Sequence, residues 1–407
     1  MVGLDSGRDQ TEPEGMRIND QEANRLRVLK AIRRAEPVAR TDLVKLTGLA
    51  SGTITEITGE LLQRNLLLEV KSSGGGPGRP RMQLLLNPDA AYVAGAFITY
   101  DGSLTVEVSN ARGERLFGRT CPIAEAPDLA SLVDQYSTLI DEVLRDSPIP
   151  RSKLTSVGLA LPGTVDSIRG DLLFLPTFSA EPFAVAELIG RRLRLPVIVD
   201  NHVDTMARAE HWFGEDRQVD DFSLFVAGAT IGFSRYLDGA LHIGAHGVNS
   251  EVAHVKFGPL DGPLCFCGEA GCLDTLASGY GAVLRVCESR GLASPSIGEV
   301  RGLHSMFARE ARAGDRVAKE AFDRAGRYLG IAVANHINMS DPPRVLVVAL
   351  DADFGDLVAA SFHASLQRNT FAPLRGRVPV QFKVSEGARY AHGTAALVLE
   401  RLYRQPT

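Results

Sequence analysis

Apolar residues return at changing intervals along the first part of the chain, and the changes mark its elements. Leu26, Leu29 and Ile32 recur every three residues among Arg25, Arg27, Lys30, Arg33 and Arg34, which predicts one apolar stripe on a basic helix ended by Pro37. A second short helix, capped by Thr41-Asp42, carries Leu43 and Leu46 and stops at Gly48. A third starts near Ala50-Ser51 and places Ile54, Ile57 and Leu61 at i, i+3 and i+7. The tight Thr47-Gly48-Leu49 connection makes the last two a helix-turn-helix candidate. After Asn65 the pattern becomes that of strands. Leu66–Val70 and Met82–Leu86 read as a pair around the flexible, basic loop from Lys71 to Arg81, the form of a wing.

Asn87-Pro88-Asp89 then marks a boundary. Beyond it strands (Tyr92–Thr99, Ser103–Ser109, Ser156–Leu161, Pro196–Val199) alternate with helices (Leu129–Leu144, Ala184–Leu193, Val203–Trp212), which is α/β architecture. A long helical stretch from Asp315 to Asn338 precedes the apolar run Arg344–Leu350, and a last helix spans Ala391–Tyr403. Three regions follow: a polar tail over 1–19, expected to be disordered, a winged helix-turn-helix over 20–88, and a larger body over 89–407.

Totals narrow the class. At 407 residues the chain exceeds one compact core, and no apolar run approaches the ~18 residues a bilayer span requires. The first ten residues contain no apolar segment of the kind that starts a secretory signal, so a cytoplasmic protein is expected. The net charge of −5 by itself argues against nucleic acid, but its distribution does not. Residues 21–85 hold 11 Lys and Arg against 6 Asp and Glu, a surplus of +5, which leaves −10 for the remainder. A basic module on an acidic body is the asymmetry expected when one end meets phosphate.

In a helix-turn-helix the second helix enters the major groove and its first residues reach base edges. Here these are Ser51, Thr53, Thr55 and Glu56, all able to hydrogen-bond, with Arg40 and the wing cations Lys71, Arg79 and Arg81 as further DNA contacts. Arg79, set between Gly78 and Pro80, suits a narrow minor groove. The alternatives are the solvated face of a small helical bundle and a flexible linker. A linker needs neither arginine nor paired strands.

Cys265, Cys267 and Cys272 place three thiols within eight residues, with Gly268 and Gly271 permitting tight turns, and His254 precedes them. Three sulfurs and one imidazole complete a tetrahedron around Zn2+ and leave no open position, so the predicted metal is structural, in a loop over 254–272. Redox chemistry is the rival, without a Cys-x-x-Cys pair to support it. Cys121 and Cys287 read as core residues.

The run Gly244-Ala-His-Gly-Val-Asn-Ser-Glu251-Val-Ala-His254, followed by Cys265-x-Cys267-Gly-x-x-Gly-Cys272, resembles the signature of the ROK family of repressors and sugar kinases. The helix-turn-helix stretch and Gly78-Arg79-Pro80 resemble its winged-helix repressor branch, and the likeness covers nearly all of residues 20–405. The resemblance implies a two-lobed, actin-like sugar-kinase body of the ribonuclease H type. Asn201, Glu251 and His254 fall where members touch sugar hydroxyls, Asp274 stands in the site where the family usually has Glu, and His202 reads either as a further sugar contact or as a packed core histidine.

The departures concern catalysis. His202 occupies the position of the kinases' carboxylate base, and neither Asp200 nor Asp204 keeps the family's Asn-Asp order. The first phosphate loop reads Ala96-Phe-Ile-Thr-Tyr100, the second Gly228-Ala229-Thr230, and the glycine pair near the adenosine is Ala349-Leu350. Bulky side chains there oppose close backbone approach by phosphates. The expectation is a non-enzymatic, sugar-responsive transcriptional regulator, dimeric or tetrameric, on a palindromic double-stranded operator. The rivals are a zinc-containing sugar kinase with a DNA module and a constitutive DNA-binding protein.

Overall fold

The computed structural model describes residues 20–71, 81–98, 102–175, 178, 182–214, 219–384 and 390–404. The expected tail, Arg79, Thr99 and Tyr100 lie outside these residues. The chain divides after Asn87, one residue before the expected boundary.

The first unit contains α1 (Asp20–Ala35), β1 (Val38–Ala39), α2 (Arg40–Thr47), α3 (Ser51–Gln63), β2 (Leu67–Lys71) and β3 (Met82–Leu86). Leu29, Ile32, Leu43, Ile54 and Leu61 form its core together with Leu84 and Leu86. α2 has no side-chain cap: it starts at Arg40 after an extended Ala39, so Thr41-Asp42 lies inside the helix. Its other end follows the glycine rule. Gly48 sits at φ 69°, and its N–H returns to the Val44 carbonyl at 2.9 Å. The sheet order is β1-β3-β2, and the two-residue β1 is too short to leave a sequence period. Residues 401–404, expected in the body, group with this unit. Tyr403 is buried there within electrostatic reach of Arg33 and Glu36, and burial pushes its phenol up to about 12.

The second unit opens with β4 (Tyr92–Ile98), β5 (Ser103–Asn110), β6 (Arg115–Pro122), α4 (Leu129–Asp146), β7 (Leu154–Leu161), β8 (Thr164–Asp166), β9 (Asp171–Phe174), α5 (Val185–Leu193), β10 (Val197–Asn201) and α6 (His202–Phe213). It continues through β11 (Phe222–Ala227), β12 (Ile231–Leu237), β13 (Ala240–Leu241), α7 (Asp274–Ala277), α8 (Gly279–Arg290), α9 (Ile297–Arg312), α10 (Arg316–Ser340), β14 (Val345–Ala349), α11 (Ala352–Asn369), β15 (Val380–Val384) and, up to Glu400, α12 (Ala391–Arg404). Its two large sheets repeat one topology: β6-β5-β4-β7-β10 and β13-β12-β11-β14-β15, each an antiparallel meander extended by two parallel strands. The second meander goes unread in the sequence because β11 is buried at all six positions and shows no alternation.

Between the sheets, Val203, Met206 and Ala207 of α6 join Phe97 and Ala160 of the first sheet and Leu224, Val226 and Val348 of the second in one apolar cluster. α12 crosses the first sheet where glycine permits it. A Cβ at Gly95 would stand 2.0 Å from Thr394 Oγ1, and one at Gly158 2.5 Å from the Thr394 carbonyl oxygen.

Candidate functional site

The carboxyl ends of β4, β7, β10, β11 and β14 open onto one cavity of about 460 Å³, the place where open α/β sheets bind ligands. Its polar wall is built by local geometry. β10 ends at Asn201, whose Oδ1 accepts from the Val203 N–H at 2.7 Å and caps α6, while its Nδ2 donates to the Gly163 carbonyl at 2.6 Å. His202, the first residue of α6, lines the cavity with Nδ1 3.2 Å from the Leu161 carbonyl. A carbonyl only accepts, so Nδ1 carries the hydrogen and Nε2 is left as an acceptor. Burial holds this imidazole below its ordinary pKa and keeps it neutral.

Glu251 is exposed on the facing wall and accepts from Thr164 Oγ1 at 2.8 Å. Thr164 follows Gly163 at φ 88°, where a Cβ would stand 2.2 Å from the Phe174 carbonyl oxygen. His254 lines the same wall, with the ring of Phe266 edge-on at 5.7 Å, and Phe266 stacks in turn on Phe174 at 6.5 Å. Asp274 departs from expectation. It is fully buried and absent from the lining, its Oδ1 accepting from the Ile231 N–H at 2.7 Å. The short side chain is held by the backbone behind the wall, where burial raises its pKa to about 7.

Sequence reasoning missed Asn249, although it lies in the Gly244–His254 run. Its Nδ2 reaches Ser234 Oγ at 3.1 Å and the Asp204 carboxylate, and Ser234 Oγ donates to Asp204 Oδ1 at 2.7 Å. Burial and the adjacent Asp200 push Asp204 up to about 8. Asp200 pairs with Arg208 at 3.0 Å, and Arg208 also bonds Glu400, which accepts from Trp212 Nε1 at 2.5 Å and Tyr236 OH at 3.0 Å.

The other end of the cavity carries Gly228, Ala229 and Leu350, the residues expected at the nucleotide loops. Leu350 covers Gly228: a Cβ built there would meet Leu350 Cδ1 at 3.2 Å. The first amides of α8 are also engaged, Gly279 N–H with the Gly228 carbonyl at 2.8 Å and Tyr280 N–H with the Ala229 carbonyl at 2.9 Å. Ser278 Oγ takes the third, from Gly281, at 3.0 Å. Free helix N-terminal amides are the groups that receive phosphate, and these three have protein acceptors.

Beside the cavity, one donor atom from each of His254, Cys265, Cys267 and Cys272 lies within 4.8 Å of the others, with Cys265 Sγ 3.7 Å from His254 Nδ1. The donor set fits a metal ion. Burial pushes the Cys265 and Cys272 thiols up, so deprotonating them together calls for a cation in their midst. Lys256 Nζ, 3.2 Å from Cys272 Sγ, adds a further positive charge outside the donor set.

In the first unit Ser51, Thr55 and Glu56 are exposed on the opening turns of α3, and Thr53 is half-buried. Thr55 Oγ1 donates to the Ser51 carbonyl at 2.9 Å. Lys71 and Arg81 are exposed at the two ends of the expected wing. Arg40, expected at the DNA, is partly exposed and engaged within the unit. Its Nε donates to Thr58 Oγ1 at 2.9 Å and its Nη1 pairs with Glu69 at 2.7 Å, which ties α2 to α3 and β2.

Two lobes of one topology, closing on a cavity with a polar wall and a Cys3His cluster, define the class as a sugar-kinase-like body. The chain belongs to the ROK family, whose sequence profile matches residues 128–401. It is 25% identical to the xylose repressor of Caldicellulosiruptor bescii over 95% of this chain and 98% of that protein. It is 24% identical to the DNA-binding transcriptional dual regulator NagC of Escherichia coli, over 93% and 92%. Among solved structures, a ROK family transcriptional regulator homologous to the E. coli Mlc protein superposes with a TM-score of 0.73 at 26% identity, covering 94% of this chain and 96% of that one. A ROK family glucokinase from Streptomyces griseus, solved with glucose and AMPPNP, gives 0.62 at 25% identity, with 99% of its length on 75% of this chain. No described helix is long and apolar enough to cross a membrane.

Proposed function

We propose that this protein is a sugar-responsive transcriptional repressor of carbohydrate genes that does not phosphorylate its ligand. The observation that carries the reading is the asymmetry of the cavity. Its sugar-facing end offers a hydroxyl-binding set in Asn201, His202, Asn249, Glu251 and His254, while at its other end Leu350 covers the Gly228 backbone and the α8 amides are engaged. His202, neutral and bonded to Leu161, stands where a kinase would hold its carboxylate base. A ligand that binds one lobe arrangement better than the other shifts the population between DNA-binding and released forms.

The first unit is read as a winged helix-turn-helix, with α3 in the major groove and the segment from Lys71 to Arg81, Arg79 included, as the wing. Two such modules on a palindromic operator imply a homodimer or homotetramer, acting in the cytoplasm. The metal is read as structural Zn2+, which as a closed tetrahedral centre would supply a fixed frame and no reactive position. His254, holding zinc through one ring nitrogen, would have its orientation toward sugar hydroxyls set by that bond. Similarity to repressors named for xylose and N-acetylglucosamine supports the reading.

The test pairs fluorescence anisotropy on upstream DNA fragments, with and without a sugar panel, with a coupled ATP assay on the same sugars. Sugar-dependent change in DNA affinity without turnover is the expected result. Turnover abolished by His202→Ala would overturn the non-enzymatic part, and DNA affinity indifferent to every sugar bound would remove the effector role.

A further inference from the structure

The nucleotide end of the cavity is filled against phosphate, but space remains there. Phe97, Val226 and Tyr390 belong to the buried cluster between the sheets, Leu350 packs against them, and all four line the cavity together with Ile98. Phe97 and Tyr390 hold their rings 6.0 Å apart at 37°. The one charged side chain among the described lining residues at this end is the exposed Arg301, whose Nη2 lies beside Gly102 where β5 begins. The hydroxyl-binding groups, by contrast, gather around Asn201, Asn249 and Glu251.

From this division we infer that the preferred ligand is a glycoside with an apolar, aryl-type aglycone, its sugar at the Glu251–His254 end and its aglycone between Phe97, Ile98 and Leu350. The inference rests on the sugar-effector reading and deepens it. A cavity of about 460 Å³ lies in the range of about 300–1,000 Å³ that holds drug-sized ligands, and a single pyranose leaves much of it vacant. A second sugar would set a ring of hydroxyls against Leu350, Phe97 and Ile98, at roughly 1–3 kcal/mol for each hydroxyl left unpaired. A planar apolar group has no such penalty and packs on the half-buried Ile98 and Leu350, with the buried Phe97 and Tyr390 rings backing that wall. The substitutions that exclude nucleotide thus form a second subsite of opposite polarity next to the first.

Calorimetric titration of the purified full chain with glucose, xylose and N-acetylglucosamine, each as free sugar, methyl glycoside and phenyl glycoside in both anomers, tests this. The phenyl glycoside of the preferred sugar is expected to bind at least about tenfold more tightly than its methyl glycoside, the gain that burying a ring supplies. Leu350→Asn, and independently Ile98→Asn, should bring that ratio toward unity while methyl glycoside affinity persists, which also reports that each variant is folded. Equal affinity for methyl and phenyl glycosides would overturn the aglycone subsite and leave the sugar reading standing. No binding by any of the three sugars in any form would remove both.

Discussion

Arg208 on α6 bonds the carboxylate of Glu400 on α12, 192 residues further along the chain, and holds Asp200 of β10 with its other terminal nitrogen at 3.0 Å. All three side chains are almost completely buried, and Trp212 and Tyr236 donate to the same Glu400 oxygen. Removing the cation alone leaves two buried carboxylates facing each other. Arg208→Met should therefore cost roughly 3–5 kcal/mol in urea denaturation. Adding Glu400→Gln, which keeps an acceptor for Trp212 and Tyr236, should recover part of that loss. A single substitution costing under about 1 kcal/mol would show that the charges are solvated after all.

Asp204 carries the pH dependence together with Asp274, whose pKa burial raises to about 7. The folded pKa of Asp204 is raised from 3.8 to about 8 by burial and by Asp200, so the folded state binds a proton that the unfolded state has released. The stabilisation tied to that proton is complete below 3.8 and is lost as pH rises through about 8. Tm should fall from about pH 5 to about pH 8.5, and Asp204→Asn should make that fall shallower, leaving the part due to Asp274. An unchanged slope in the variant assigns the pH dependence elsewhere.

The metal cluster predicts a joint loss. Cys267→Ser should reduce bound zinc well below stoichiometric, lower Tm, and weaken the sugar response, because His254 stands on both the cluster and the cavity wall. Metal analysis after dialysis checks it, and stoichiometric zinc retained by the variant would refute the ligand set.

Cations in the first unit should separate by role. Lys71→Ala and Arg81→Ala, both exposed, should weaken DNA binding across sequences and each lower the salt slope by about 1. Arg40→Ala should instead lower the melting temperature, since its guanidinium is bonded to Thr58 and Glu69. A salt slope altered by Arg40→Ala with no thermal change would restore it to the DNA contacts.

What the chain alone determined is what short-range spacing encodes. The stripes of Leu26–Ile32 and Ile54–Leu61 give helices because a 3.6-residue period needs no knowledge of a partner. Cys265, Cys267 and Cys272 are placed within eight residues by the sequence, and the turns at Gly268 (φ 89°) and Gly271 (φ 76°) fold them onto one another and onto His254. Tertiary structure decided everything that depends on which distant segments touch. It placed Leu350 over Gly228, set Asp274 behind Ile231, engaged Arg40 with Thr58 and Glu69, and buried Asp204 beside Asn249. A side chain's type states what it can bond. Only the packing of the two sheets around α6 decides whether a backbone amide, a carboxylate or an incoming ligand reaches it first.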